Sequence, residues 1–135
     1  MEELFNRIAT SAEKELGISS GEIYNLLIKR EKESSTVIRV GLAIPHLVVE
    51  GNNKFRIILA RCKGGVKFPE SKAPVHIVFV LAGTKDERNF HLRALAAIAE
   101  IAQSITFDKM WLNARNTEEL RDIILLAERK RARSK

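Results

Sequence analysis

Apolar residues at the start of the chain recur three and four positions apart. Leu4, Phe5, Ile8, Ala9, Ala12 and Leu16 share one face of a helix, and Gly17 ends the pattern. Ser19, with Glu22 three residues later, is a capping-box start. It predicts a second helix through Ile23, Tyr24, Leu27 and Ile28, ending near Glu31–Ser34. The period then changes. Thr36–Ile38 is β-branched and reads as a short strand, Gly41 breaks the run, and 42–49 carries Pro45 and His46. Phe55–Cys62 reads as a strand, with a turn expected at Gly64-Gly65. Val75–Leu81 is a nearly continuous β-branched run, the pattern of a central strand buried on both faces. Thr84 with Glu87 repeats the capping box. The following helix sets His91, Leu95, Ile98 and Ala102 on one face, with Leu92, Ala99 and Ile105 alongside. A short helical turn is expected near Phe107–Leu112. Thr117 is expected to cap a last helix through Leu120, Ile123, Ile124 and Ala127.

Helices at both ends with strands between them predict an α/β fold: a mixed β-sheet of about five strands, flanked by helices on both faces, in a single domain. The 135 residues suit this, because a chain of that size buries roughly two-thirds of its surface and needs no staples. There is no internal repeat, low-complexity tract or linker. Residues 1–128 are taken as the domain and 129–135 as a basic tail. Arg129, Lys130, Arg131, Arg133 and Lys135, set against Glu128, hold +4 of the formal +6. Such a tail is a solvated helix end or a docking patch for an acidic partner. The body is too nearly neutral for a specific nucleic-acid binder.

The lone Cys62 rules out an internal disulfide, and a reducing compartment, the cytoplasm, is expected. No apolar run approaches the ~20 residues of a membrane span. Cys62 reads as core filler.

The candidate chemistry rests on three histidines, His46, His76 and His91. They supply no metal-ligand spacing, and there is no HExxH pair, so a metal hydrolase built on them is the weaker reading and no metal is expected. No Walker motif, dinucleotide fingerprint or nucleophile elbow is present. No cofactor is expected. Tail-mediated nucleic-acid binding is a further minor reading, one that would be salt-sensitive.

The stretch Arg30-Glu31-x3-Ser35-Thr36-x-Ile38-x2-Gly41-Leu42-Ala43-Ile44-Pro45-His46 resembles the phosphorylation segment of enzyme IIA domains of the bacterial phosphotransferase system. The branch it is most similar to is the fructose–mannitol and nitrogen-regulatory type. The likeness continues through Gly65-Val66-x-Phe68 and Pro74–Ala82 to His91-Leu92-x2-Leu95, covering nearly the whole chain in order.

The resemblance implies that His46 accepts a phosphoryl group from a histidine phosphocarrier protein and passes it to a downstream component of the system, in sugar uptake or regulation. It implies His91 as the second active-site histidine and Arg30 as the active-site arginine. It gives no role to His76. The chemistry is consistent. A neutral imidazole is nucleophilic near neutral pH, a guanidinium offsets phosphoryl charge with a planar fork, and an early-helix histidine gains from the helix dipole.

The alternative is a non-catalytic cytoplasmic regulatory or binding domain tied to a membrane transporter, because 84–99 is also similar to enzyme IIA-like domains attached to transporters. Glu31 reads as a structural partner of a nearby base. Ser34 and Arg39 stand where the family commonly has glycine. Arg39 adds a charge seven residues before His46 that is expected to bear on phosphate or donor binding. Nothing in the sequence sets the oligomeric state.

Overall fold

A computed structural model describes residues 1–119. The expected helix beyond Leu120, the 1–128 boundary and the basic tail lie outside the described residues, in whole or in part.

Two helices open the chain. α1 (Glu2–Leu16) buries Phe5, Ile8, Ala9, Ala12 and Leu16, the face its spacing predicts, and Gly17 closes it in the left-handed conformation at φ 70°. α2 (Ser20–Glu33) starts where the Ser19 hydroxyl accepts the Glu22 N–H at 3.2 Å.

Five strands follow: β1 (Val37–Arg39), β2 (Leu42–Ala43), β3 (His46–Val49), β4 (Phe55–Val66) and β5 (Val75–Thr84). β5 is the spine. β2 and β3 lie along one side of it, both parallel to it, and β4 pairs antiparallel along the other. β1 pairs antiparallel with β2. A 3₁₀ turn (Lys85–Glu87), α3 (Arg88–Ile101) and α4 (Ile105–Asn113) complete the described elements, before a last helix that begins at residue 117. No described helix is long and apolar enough to cross a membrane.

Alternation along β5 sorts its side chains into two cores. Val78, Val80 and Ala82 join α1 and α2 on one face, with Phe5 set edge-on to Phe68 at 5.8 Å. Ile77, Phe79 and Leu81 join α3 and α4 on the other, where Phe79, Phe107 and Trp111 cluster at centroid separations of 5.3–6.2 Å. Each of these large side chains contributes about 1.5–3 kcal/mol on burial. The fold is the expected mixed sheet with helices on both faces.

Four local expectations change. Gly64-Gly65 is no turn: it lies inside β4, where the register slips between Arg61 and Val66 and Gly65 takes φ 81°. The pair therefore makes an irregularity of the bulge kind, which glycine tolerates. Thr84 makes no helix cap. Its hydroxyl lies on Lys54, accepting the amide N–H at 3.2 Å and donating to the carbonyl at 3.3 Å, because the residue still belongs to the sheet. On the helix after Thr84, Leu92 stands about a hundred degrees around α3 from His91 and is exposed, and Ile105 opens α4 instead, because α3 ends at Ile101. At the last helix Asn116, not Thr117, is the cap, its Oδ1 accepting the Glu119 N–H at 2.9 Å.

Candidate functional site

Pro45 sets the site up. It has no N–H, and regular pairing stops between β2 and β3. Its carbonyl still accepts the Leu81 N–H at 2.9 Å, so the chain stays in register and His46 lands opposite Leu81. Leu47 and Val49 point into the α1–α2 core, so alternation turns His46 and Val48 to the α3 side. β3 lies outermost on its side of β5, and the end of α2 can reach round to the same imidazole.

Arg30, in the last turn of α2, does so. Its Nε lies 3.2 Å and its NH2 3.1 Å from His46 Nε2. On the other side of the ring, Nδ1 is 3.1 Å from the Ile44 carbonyl oxygen. These partners fix the tautomer. A guanidinium only donates, so Nε2 must carry the lone pair; a carbonyl only accepts, so Nδ1 must carry the proton.

His91, from the first turn of α3, completes the group. Its ring centroid is 5.5 Å from that of His46, with the planes at 81°. Phe55 packs edge-on against it at 6.2 Å, and Phe90 lies beyond at 6.3 Å from Phe55. Burial, and then the charge His46 can carry, hold the His91 pKa below the ordinary imidazole value. The two rings therefore resist being cationic together.

The corner between α2 and β1 holds Arg30 in place. Glu31 is buried and accepts two hydrogen bonds from Thr36, 2.8 Å from its amide and 2.5 Å from its hydroxyl. It is the structural partner expected, but of a threonine rather than a base. Ser34 accepts from Arg30 NH1 at both its carbonyl, 2.9 Å, and its hydroxyl, 3.1 Å. Sequence reasoning gave Ser34 no such role, although its place four residues after an arginine at a helix end is the signal that could have found it.

Two further residues weighed in the sequence, His76 and Arg39, make other contacts. His76 Nδ1 faces the Cys62 carbonyl at 2.9 Å and serves the irregular stretch of β4. Among the described residues no three His, Cys, Asp or Glu side chains are grouped to hold a metal. Arg39 is committed to packing. It donates to the Ala102 carbonyl at 2.8 Å and forks onto both carboxylate oxygens of Asp108, at 2.5 and 3.2 Å. Its charge is therefore paired with that of Asp108. The left-handed angle of this loop falls on Gly41, φ 84°, so Arg39 has no strain to bear. Cys62 packs half-buried against the α1–α2 core, and burial pushes its thiol pKa up.

Chemically, the site offers one half-buried nitrogen lone pair with a guanidinium fork and a second imidazole beside it. That arrangement suits a nucleophile receiving a compact, highly negative group.

Residues 1–126 match the family described as phosphoenolpyruvate-dependent sugar phosphotransferase system, EIIA 2. The chain is 30% identical over 125 residues to the PTS system fructose-specific EIIABC component of Bacillus subtilis, covering 91% of this chain but only 20% of that protein. It is 30% identical over 119 residues to a nitrogen regulatory protein of Klebsiella oxytoca, covering 87% of this chain and 74% of that one. Its fold is similar to the crystal structure of nitrogen regulatory protein IIA-Ntr from Neisseria meningitidis, with a TM-score of 0.84 at 26% identity over 91% of this chain and 85% of the other.

Proposed function

The chain belongs to the EIIA 2 family of the phosphoenolpyruvate-dependent sugar phosphotransferase system, and from that premise we propose that His46 Nε2 is its phosphoryl acceptor. The observation that carries this reading is the pair of opposed contacts on the ring: the Ile44 carbonyl accepts a hydrogen bond from Nδ1–H, and Arg30 faces the Nε2 lone pair.

The donor is a histidine phosphocarrier protein. The Nε2 lone pair forms a bond to phosphorus as the donor's N–P bond breaks, and that electron pair returns to the donor nitrogen. Nδ1–H stays on Ile44 throughout, so no proton need move. The incoming group carries close to two negative charges. The Nε–H and NH2 of Arg30, which face the lone pair before transfer, face phosphoryl oxygens after it. His91, neutral near pH 7, donates one N–H to a phosphoryl oxygen without adding a second cation to the pair. Positioning and charge stabilisation do the rest.

The group then passes to a downstream component. The Bacillus subtilis relative is named an EIIABC component, and an EIIB-type domain is the natural acceptor on that ground. Work on the cytoplasmic side follows from the same reading. Similarity to nitrogen regulatory proteins over most of their length favours regulation over sugar uptake. The alternative of a transporter-linked domain that carries no phosphate leaves the assembled Arg30–His46–His91 group without a purpose.

The test is incubation with a phosphorylated histidine carrier protein, read by intact mass. A gain of one acid-labile phosphate, absent from His46→Ala, is expected. No gain on folded protein, or label retained in His46→Ala, overturns the assignment.

A further inference from the structure

We propose that Ser34 is a positioning residue for phosphoryl transfer, its hydroxyl and carbonyl together pinning one edge of the Arg30 guanidinium so that the opposite edge stays beside the reacting nitrogen of His46, where arriving phosphoryl oxygens replace that nitrogen as its acceptor. The proposal rests on the reading of His46 as acceptor.

The donors of Arg30 are divided between two clients. NH1 serves Ser34 alone, at the carbonyl (2.9 Å) and the hydroxyl (3.1 Å). Nε and NH2 serve His46 Nε2 at 3.2 and 3.1 Å. Because the guanidinium is planar and rigid, holding NH1 dictates where the other two nitrogens point. An arginine side chain otherwise has many rotamers, and freezing them at the moment of transfer would slow it.

Residue 34 can hold Arg30 because of where the helix ends. Its backbone leaves α2 at φ −167°, ψ 152°, an ordinary extended conformation, which brings both oxygens back along the last helical turn. The corner is rigid independently of Arg30, since the buried Glu31 carboxylate ties Thr36 down just beyond it. The pin is most needed once phosphate has arrived. The Nε2 lone pair is then spent on phosphorus, the fork has lost its original acceptor, and a loose guanidinium would swing into water. The contact is exposed, so water competes with it. The expected effect is accordingly modest, about three- to tenfold in rate.

Two measurements test this on the full chain. In the unphosphorylated ¹⁵N-labelled protein, the Arg30 Nε–H should exchange with solvent faster in Ser34→Ala than in wild type, and Ser34→Thr should restore it. An unchanged exchange rate in Ser34→Ala overturns the proposal. With a phosphorylated histidine carrier as donor, Ser34→Ala should lower the single-turnover transfer rate at saturating donor about three- to tenfold with the half-saturating donor concentration unchanged, Ser34→Thr should recover it, and the loss should vanish in an Arg30→Lys background. The same loss in both backgrounds overturns the proposal, because Ser34 would then act without Arg30. A wild-type chain that takes up no phosphate sinks the acceptor reading and this proposal together. A wild type that does, beside a Ser34→Ala variant at wild-type rate, sinks the proposal alone.

Discussion

At the residue scale, the proposed site gives each nitrogen one partner. Ile44 occupies Nδ1 of His46, Arg30 faces Nε2, and Ser34 occupies the arginine's spare end. Arg30→Lys keeps the charge but loses the fork, so transfer should slow by about tenfold or more while His46 remains the labelled residue. Labelling kinetics by mass would show it, and a wild-type rate would remove the fork from the mechanism. His91→Ala should cost more, about a hundredfold, if its N–H meets the phosphoryl group. His91 also ties the site to pH. Its folded pKa lies below the unfolded value of about 6.5. The unfolded chain therefore binds the extra proton first, so the stability this ring contributes is complete above pH 6.5 and is lost as pH falls through its depressed folded pKa. Between pH 7.5 and 5, wild-type Tm should fall further than that of His91→Gln. Parallel curves would contradict the shift.

At the scale of single elements, three glycines separate cleanly by surroundings. Gly65 combines φ 81° with a would-be Cβ only 2.6 Å from the Pro74 ring, which cannot yield. Gly65→Ala should destabilise by about 2–3 kcal/mol and distort β4. Gly17 takes φ 70° at the end of α1, but the nearest atom is the end of the flexible Lys54 side chain at 3.0 Å. Gly17→Ala should cost only about 1 kcal/mol. Gly21, in the first turn of α2 with open space around it, should gain a few tenths to about 1 kcal/mol as alanine. Urea denaturation orders the three, and any other ranking would contradict the backbone angles. The irregular stretch of β4 shows why sequence reading failed there. Gly64-Gly65 has the composition of a turn, and only the pairing of Val66 with Val75 across the sheet shows that the strand continues. Thr84 failed similarly, its hydroxyl being claimed by Lys54 thirty residues away. By contrast α1, the start of α2 and the buried β5 spine were legible, because their signals are local periodicity and one capping serine.

At the scale of the whole molecule, tertiary contacts decide what the sequence could only suggest. The order Arg30, His46, His91 was readable through its resemblance to a family, and His76 had the same chemistry on paper. What separates them is register: His46 sits opposite Leu81 at the outer strand, whereas His76 sits five residues earlier on β5, facing Cys62. The pairing of Arg39 was not legible, because its partners, Ala102 and Asp108, lie more than sixty residues on. This fork joins the β1–β2 corner to the junction of α3 and α4. Arg39→Ala should cost about 1–2 kcal/mol with phosphoryl uptake retained, as thermal melts and the labelling assay would show. Loss of uptake in a folded Arg39→Ala protein would return that arginine to the site.

The sheet also divides the molecule into two cores, and the site draws on both. Arg30 comes from the α1–α2 layer, His91 from the α3–α4 layer, and His46 from the strand between. On the proposed reading the site behaves as a logical conjunction: it is competent only while both layers are docked. Should either layer open before the other, phosphoryl uptake will disappear at the denaturant concentration of the weaker one, while the stronger still gives a folded spectrum. Activity would then be the more sensitive thermometer of the fold, and a cell reading the phosphorylation state would in effect be counting only fully assembled copies.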